Sequence, residues 1–306
     1  MGLAEGRLRH RRGAMMTHRF HWPEGKTCAV MISIAFDDGL DATARAPDLP
    51  TREKSHSVWK YGAARGVDRM LECLDAADLP ATWFLPGAIA RTQGAAVSRI
   101  SAAQHEIACH GWGTERLDQI PVSERAALLS RARGALQEAS GQAVRGFRLP
   151  YGNWPVDFAA QLLAAGFGWS HTLQGDDWPY LHPEGIVEIP FHSETEDRPY
   201  FQFNFAPAFP TGLSRIPSYE GVLGNWIAEF DACHRYGLCL SVLLRPEWTG
   251  TPGRIGLMRR LIAHMRERDD VWFATGSEVA EWTRTQGLYP EDNHPLNVYS
   301  RYLKEA

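Results

Sequence analysis

Two patterns of hydrophobic residues, one typical of strands and one typical of helices, alternate through most of the chain. Short apolar runs rich in β-branched and aromatic residues predict strands at 27–36, 81–85, 106–109, 146–149, 169–173, 186–191, 238–244 and 271–275. Amphipathic segments lie between them; Val67, Met70, Leu71 and Leu74, for example, repeat at helical spacing and form one apolar stripe. The two patterns together predict an α/β fold.

Helices are also predicted after the later strands. Ser123 can cap a helix that runs to a stop at Gly141, and further helices are expected at 157–165, 219–236, 254–268 and 277–285. Strands that alternate with helices form a parallel sheet with crossover helices. About seven to eight strands favour a distorted (β/α) barrel over an open sheet.

The domain organisation follows from the same pattern. Residues 21–306 read as one domain, interrupted by two long irregular stretches at 40–62 and 201–218. Residues 1–20 carry five arginines and no apolar segment, so we expect a disordered basic leader rather than a secretory signal. Met15 or Met16 is an alternative start.

Composition excludes several classes of function. The net charge of −4 gives no basic field for nucleic acid, and no apolar run is long enough to span a bilayer. Five cysteines are scattered without C-x-x-C spacing, which is typical of buried free thiols in a reducing compartment. We therefore expect a cytoplasmic protein with a small-molecule substrate and no nucleic-acid or membrane partner.

Four polar clusters fall at predicted strand ends, where the reactive groups of parallel barrels lie. They are Asp37-Asp38-Gly39, the His105 to Trp112 stretch with His110, Arg148-Leu149-Pro150-Tyr151, and Arg245-Pro246. Each alone has a structural explanation: a turn, a hydrogen-bonded histidine or a salt bridge. Their order and shared placement together indicate an active site.

The order of these clusters resembles the polysaccharide deacetylase (NodB-homology) superfamily, over roughly residues 22–282. The sequence is most similar to an intracellular branch that contains allantoinase-like enzymes, cyclic-imide hydrolases and some peptidoglycan deacetylases. Carried over to this chain, the resemblance implies that Asp37 is the catalytic base, that Asp38 and His110 are metal ligands, and that Arg148 shapes the site. The family's metal is expected to be a divalent ion, zinc first.

Two positions depart from the family pattern. Thr114 stands where the third metal ligand should be a histidine, and Arg245 stands where a late catalytic histidine should precede Pro246. A threonine hydroxyl is a poor zinc ligand, and arginine cannot act as a general acid near neutrality. We therefore expect no tightly bound metal, or a weakly bound divalent one; near-stoichiometric zinc would instead point to Glu115 or His192 as a replacement ligand. Arg245 would either pair with Asp37 or Asp38, or stabilise an oxyanion.

The resulting prediction is a hydrolase of non-peptide C–N bonds that acts on a small amide or cyclic imide. Asp37 would activate water, Arg148 would hold Asp37, and Arg245 or a residual metal would polarise the carbonyl. The substrate pocket would be formed by side chains beside the motifs, chosen from Trp112, Tyr151, Trp154, Asp177, Trp178 and Tyr180. His171 and His192 are either replacement acids or structural side chains.

Two alternatives remain open. One is an N-acetyl-sugar or polysaccharide deacetylase, and the other is an inactive homologue with a ligand-binding or structural role. The apolar stretch 201–210 also suggests a homo-oligomer, a dimer or tetramer.

Overall fold

The structure is a computed structural model that describes residues 20–202, 217–287, 289–290 and 292–305. The predicted leader at 1–20 therefore lies outside the described residues except for Phe20. The same is true of residues 203–210, which make up most of the stretch predicted to mediate self-association.

One curled sheet organises the described chain. Its strands, in chain order, are β1 Cys28–Ala35, β2 Thr82–Leu85, β3 Glu106–Cys109, β4 Gly146–Phe147, β5 Trp169–Ser170, β6 Tyr180–Leu181, β7 Val187–Glu188, β8 Cys239–Leu244 and β9 Val271–Phe273. The spatial order is β6-β7-β5-β4-β3-β2-β1-β8, and β9 also pairs with β1. All pairs are parallel except β6 with β7. This half-barrel confirms the predicted α/β barrel class, and each predicted strand is present; only β6 was not anticipated.

Helices cover the sheet and connect its strands. They are α1 Leu40–Arg45, α2 Glu53–Tyr61, α3 Val67–Ala77, α4 Ile89–Thr92, α5 Gly94–Ala102, α6 Val122–Ser140, α7 Phe158–Ala164, α8 Arg198–Phe201, α9 Tyr219–Tyr236, α10 Ile255–Met265, α11 Gly276–Gln286 and α12 Pro295–Glu305. The expectation of an irregular stretch at 40–62 was wrong, because α1 and α2 occupy most of it. The predicted cap at Ser123 was also wrong: the N-cap of α6 is Pro121, and Ser123 lies inside the helix.

The strands are buried on both faces. All eight residues of β1 are buried, and alternate side chains enter two hydrophobic clusters, with Val30 and Ile32 on one side and Ala29 and Met31 on the other. Successive side chains of a strand point to opposite faces, so burial on both faces requires a continuous apolar run. No helix in the described ranges combines the length and apolar character of a membrane span.

The chain after β7 returns to the far edge of the sheet. Glu196 forms an isolated parallel bridge with Leu243 of β8, and the Asp197 N–H donates to the Leu243 carbonyl at 3.1 Å. This pairing brings two carboxylates beside the carboxyl end of β8.

Close backbone contact joins the end of α2 to the loop after β8. A π-helical turn, Gly62–Gly66, connects α2 to α3. A methyl group on Gly66 or on Gly250 would overlap the carbonyl oxygen of Pro246. Only glycine fits such an approach, so these contacts fix the turn against the loop.

Candidate active site

The four predicted clusters converge at the carboxyl edge of the sheet. Asp37 follows β1, His110 follows β3, Arg148 follows β4, and Arg245 follows β8. The carboxyl ends of parallel strands share one edge, which explains how four distant segments meet.

Asp37 is a carboxylate in a poorly solvated position. Its Oδ1 accepts the N–H of Gly39 at 2.8 Å. The pKa of Asp37 is raised to about 6, chiefly by burial and secondarily by the neighbouring charge of Asp41. The Gly39 hydrogen bond and the charge of Arg245 partly oppose this shift. A carboxylate of this kind can exchange a proton near neutrality.

Asp38 is held by a lysine and a glutamine. The residue is buried and has a left-handed backbone, with φ of 54°. Its Oδ2 accepts from Lys60 Nζ at 2.7 Å and from Gln93 Nε2 at 3.0 Å, and its carbonyl oxygen accepts from the same Lys60 at 2.9 Å. Its buried Oδ1 has no hydrogen-bond partner within the described part of the chain.

His110 is fixed in one tautomer. Its Nδ1 lies 2.9 Å from the carbonyl oxygen of Arg148 and must carry the proton for that hydrogen bond, which leaves a lone pair on Nε2. Burial lowers the pKa of His110 to about 3, and the charge of Arg148 contributes to the same shift. The side chain is therefore neutral.

Arg245 and Arg148 bind carboxylates that the sequence analysis did not anticipate. Arg245 contacts Asp197 Oδ1 at 3.1 Å and Glu196 Oε2 at 3.3 Å. Arg148 donates to Glu196 Oε1 at 2.7 Å and to the carbonyl of His171 at 2.7 Å. The predictions that Arg245 pairs directly with Asp37 or Asp38 and that Arg148 holds Asp37 were wrong, because Glu196 and Asp197 occupy both guanidinium groups.

Glu247 is a further site residue that the sequence analysis missed. It follows Arg245 by two positions, is 5% exposed, and its Oε2 has no hydrogen-bond partner in the described ranges. Burial raises the pKa of Glu247 well above its usual range, and the charge of Asp37 raises it further. An acidic residue directly after the Arg245-Pro246 strand end was the available signal.

The predicted pocket residues do not lie together. Tyr151 is at the catalytic edge, 40% exposed, with the guanidinium groups of Arg45 and Arg116 over its ring. The Trp112 ring instead lies 3.5 Å from Arg131 of α6, against the outer helices.

Asp177 and Trp178 were assigned to the wrong end of the sheet. The Asp177 carbonyl accepts from Cys239 N, and Trp178 Nε1 donates to the Gly237 carbonyl, so both lie where β8 begins. The six residues of β8 place them about 20 Å from the catalytic edge. They line a separate cavity of about 740 Å³.

Neither of the two candidate replacement histidines approaches Asp37. His171 is fully buried and bonded at both ring nitrogens, to the Ile189 carbonyl at 2.7 Å and to Ser241 Oγ at 2.9 Å. His192 bonds Gln174 and lies 3.4 Å from Asp177, in the separate cavity. Both contacts agree with structural roles.

Comparison with known proteins identifies the family. The family model for polysaccharide deacetylases matches residues 24–168. A solved structure from Mycobacterium smegmatis, assigned to the polysaccharide deacetylases, is 33% identical; the match covers 89% of this chain and 95% of that one, with a TM-score of 0.82. The chain belongs to the polysaccharide deacetylase family.

Two further comparisons also match most of the chain. A peptidoglycan deacetylase of Helicobacter pylori is 24% identical over 247 residues, which cover 71% of this chain and 83% of the relative. The solved structure of an allantoinase is 20% identical, covers 88% of this chain and 94% of that one, and superposes with a TM-score of 0.75. The family is hydrolytic, and the allantoinase shares its fold.

The family's metal does not fit the residues present here. Thr114, at the position of the third ligand, has φ of 69° and turns its hydroxyl to the Gly113 carbonyl. Glu115, the proposed substitute, accepts the N–H groups of Trp112 and Gly113 instead. Lys60 already binds the Asp38 carboxylate. Across the described ranges, no group of three His, Cys, Asp or Glu side chains is arranged to hold a metal ion.

The ion pairs leave two carboxyl groups without a cation. Five cations each contact a carboxylate at this edge: Lys60 with Asp38, Arg45 and Arg198 with Asp41, Arg148 with Glu196, and Arg245 with Glu196 and Asp197. Within the described residues, Asp37 and Glu247 have no cation within 4 Å. Burial raises the pKa of both groups, and the charge of Asp37 raises that of Glu247 further, so Glu247 holds a proton more readily than the ion-paired carboxylates do.

Proposed function

We propose that the chain hydrolyses the C–N bond of a small linear amide or cyclic imide, without a resident metal ion. The observation that carries the proposal is the Asp37–Glu247 pair, two carboxyl groups at the catalytic edge of a hydrolase fold whose pKa values are raised by burial and which have no cation partner among the described residues. Such a pair supplies both a base and an acid.

The two groups have complementary tasks. Asp37 takes a proton from water as the water oxygen attacks the carbonyl carbon, and a tetrahedral intermediate forms. Glu247 gives its proton to the leaving nitrogen as the C–N bond breaks. A linear amide then yields a carboxylic acid and an amine, whereas a cyclic imide opens to a single molecule that carries a carboxylic acid and an amide. Asp37 then returns its proton to Glu247 through solvent, which restores the starting state.

A helical cover over Asp37 supports a small substrate. Helix α1 begins directly after Asp37, and its Asp41 forms a 2.7 Å ion pair with Arg198 of α8. Trp59 of α2 packs against Gly39 and, edge to face, against Trp248. These contacts flank the turn that carries Asp37, and Asp37 itself is only partly exposed, which suits a compact molecule better than a polymer.

Sugar deacetylation is the second candidate, and it is favoured by the names of the relatives. An N-acetyl group is also a linear amide, so the same acid and base would serve. The third reading, an inactive homologue, is favoured by Thr114 and Arg245.

A substrate panel tests these readings. Purified protein, treated with chelator and dialysed, would be assayed with hydantoin, succinimide, dihydrouracil, N-acetylglucosamine and an N-acetylated oligosaccharide. We expect turnover of a cyclic imide or a small amide, a loss of at least about 100-fold in Asp37→Asn, and no change in Asp75→Asn, an exposed control on α3. Turnover of the oligosaccharide alone would establish the second candidate, and no turnover anywhere would favour the inactive homologue.

A further inference from the structure

Lys60 brings a positive charge to Asp38, the residue that the family resemblance implies as a metal ligand. It lies in the last turn of α2, a segment that local sequence pattern did not reveal as helical. Its Nζ donates to Asp38 twice, to Oδ2 at 2.7 Å and to the carbonyl oxygen at 2.9 Å.

We propose that the Lys60 ammonium group is a built-in replacement for the metal ion: it neutralises Asp38 and polarises the substrate carbonyl beside Asp37. The second part rests on the proposed hydrolytic function, and the first part does not.

The contacts of Lys60 leave it able to bind a substrate. An ammonium group has three hydrogens, and two are directed at Asp38. The side chain is 43% exposed, whereas Asp38 is 4% exposed, so the ammonium lies between a buried carboxylate and solvent. The third hydrogen can therefore reach an oxygen that arrives from outside, and a fixed donor of this kind stabilises the oxyanion that forms when water attacks a carbonyl.

The position of Lys60 is fixed by its surroundings. The π-helical turn Gly62–Gly66 follows it directly and is locked by contact with the loop after β8. Trp59, the preceding residue, is 4% exposed and packs against Trp248. Gln93 binds the same Asp38 Oδ2 from a different segment. A lysine anchored in this way loses little freedom when it binds a transition state.

A metal competition experiment tests the first part of the proposal without any substrate. Thr114→His would add an imidazole where the family has its third ligand, and Lys60→Met would remove the competing cation. The matched control is Lys54→Met, because Lys54 is an exposed lysine of the same helix. Zinc chloride would be titrated into each variant by calorimetry, and bound zinc would be counted after dialysis.

We expect about one zinc per chain in Lys60→Met/Thr114→His, and at least about tenfold weaker binding in Thr114→His alone and in Lys54→Met/Thr114→His. Equal zinc affinity with and without Lys60 would overturn the replacement role. Absence of zinc from a folded Lys60→Met/Thr114→His protein, checked by circular dichroism, would also overturn it, because the vacated position would then not be a metal position.

Amine rescue tests the catalytic part. With the substrate found in the panel, Lys60→Ala should lose about 100- to 1000-fold in kcat, the usual loss of an oxyanion donor, and Lys54→Ala should lose nothing. Added ethylammonium should restore part of the activity in a saturable way, which a purely structural lysine would not show. An unchanged kcat in Lys60→Ala, or a loss that no amine restores, would overturn the catalytic role. If the wild type turns over nothing, the proposed function fails and the zinc titration still decides whether Lys60 replaces a metal.

Discussion

Arg245→Ala is the substitution whose effect the structure defines most closely. Arg245 is 7% exposed, and its guanidinium lies 3.1 Å from Asp197 and 3.3 Å from Glu196, which are equally inaccessible. Removing one partner of a buried ion pair costs about 3–5 kcal/mol of unfolding free energy, because the remaining charge is left uncompensated. Asp197 keeps the backbone N–H of residue 245 and the Thr249 hydroxyl, each at 2.7 Å, and Glu196 keeps Arg148. We therefore expect the lower end of that range, about 3 kcal/mol.

The loss should depend on pH. Burial alone would raise the pKa of Glu196, but Arg148 and Arg245 outweigh it and hold the pKa below its usual range. A group whose pKa is depressed by folding contributes stability above its unfolded pKa of about 4.3, and that contribution is lost as the pH falls through the folded value. The destabilisation by Arg245→Ala should therefore be larger at pH 7.5 than at pH 4, where protonation removes the uncompensated charge.

Urea unfolding followed by tryptophan fluorescence at both pH values measures this. The control is Arg260→Ala, which removes an exposed pair with Glu220 and should leave the unfolding midpoint unchanged. The double variant Arg245→Ala/Asp197→Asn should lose less than the sum of the two single variants, because one charge no longer needs the other. A loss below about 1 kcal/mol, or the same loss at pH 4 and pH 7.5, would refute the reasoning that these charges depend on each other.

Three further outcomes are expected. For any substrate that is hydrolysed, kcat/KM should rise with pH through about 6 as Asp37 ionises, and it should fall again at higher pH as Glu247, whose pKa is raised, loses its proton. A flat profile would exclude the pair. Gly66→Ala should lower the unfolding free energy by about 1–3 kcal/mol, because the added methyl group overlaps Pro246. As a control, Gly134→Ala, which lies in open space on α6, should raise the unfolding free energy by about 0.5–1 kcal/mol. A stabilised Gly66→Ala protein would contradict the contact with Pro246. Elemental analysis of dialysed wild-type protein should find far less than one zinc per chain, and a stoichiometric value would show that other residues complete a metal site.

The sequence predicted the strands well because each strand is buried on both faces. A continuous apolar run such as Cys28–Ala35 can be recognised as a strand from the local sequence alone. Helices α1 and α2 escaped prediction for the opposite reason: their buried residues are few, chiefly Ala42 and Trp59, so no apolar stripe marks them. Lys60, which binds Asp38, lies in α2 and was missed for the same reason.

The sequence predicted where the site residues lie, but not which residues form ion pairs with them. Asp37, Asp38, His110, Arg148 and Arg245 all lie at one edge, because strand ends converge there whatever the details of the fold. The ion pairs depend on the path that the chain takes after β7. The local pattern of hydrophobic and polar residues does not predict that path. The placement of Asp177 and Trp178 failed for the same reason: the segment after β5 runs back to the start of β8.

The glycine contact between the π-helical turn and the loop after β8 also sets limits on how this chain can diversify. Every substitution at Gly66 or Gly250 adds at least one carbon, and that carbon would displace the Pro246 carbonyl. The segments that carry Lys60 and Glu247 are therefore held in register by an atomic contact that no other residue reproduces. Helices α1 and α8 meet through the Asp41–Arg198 ion pair near Asp37, where neither glycine is involved. A laboratory evolution library confined to α1 and α8 would thus vary substrate admission while the catalytic spacing stays constant.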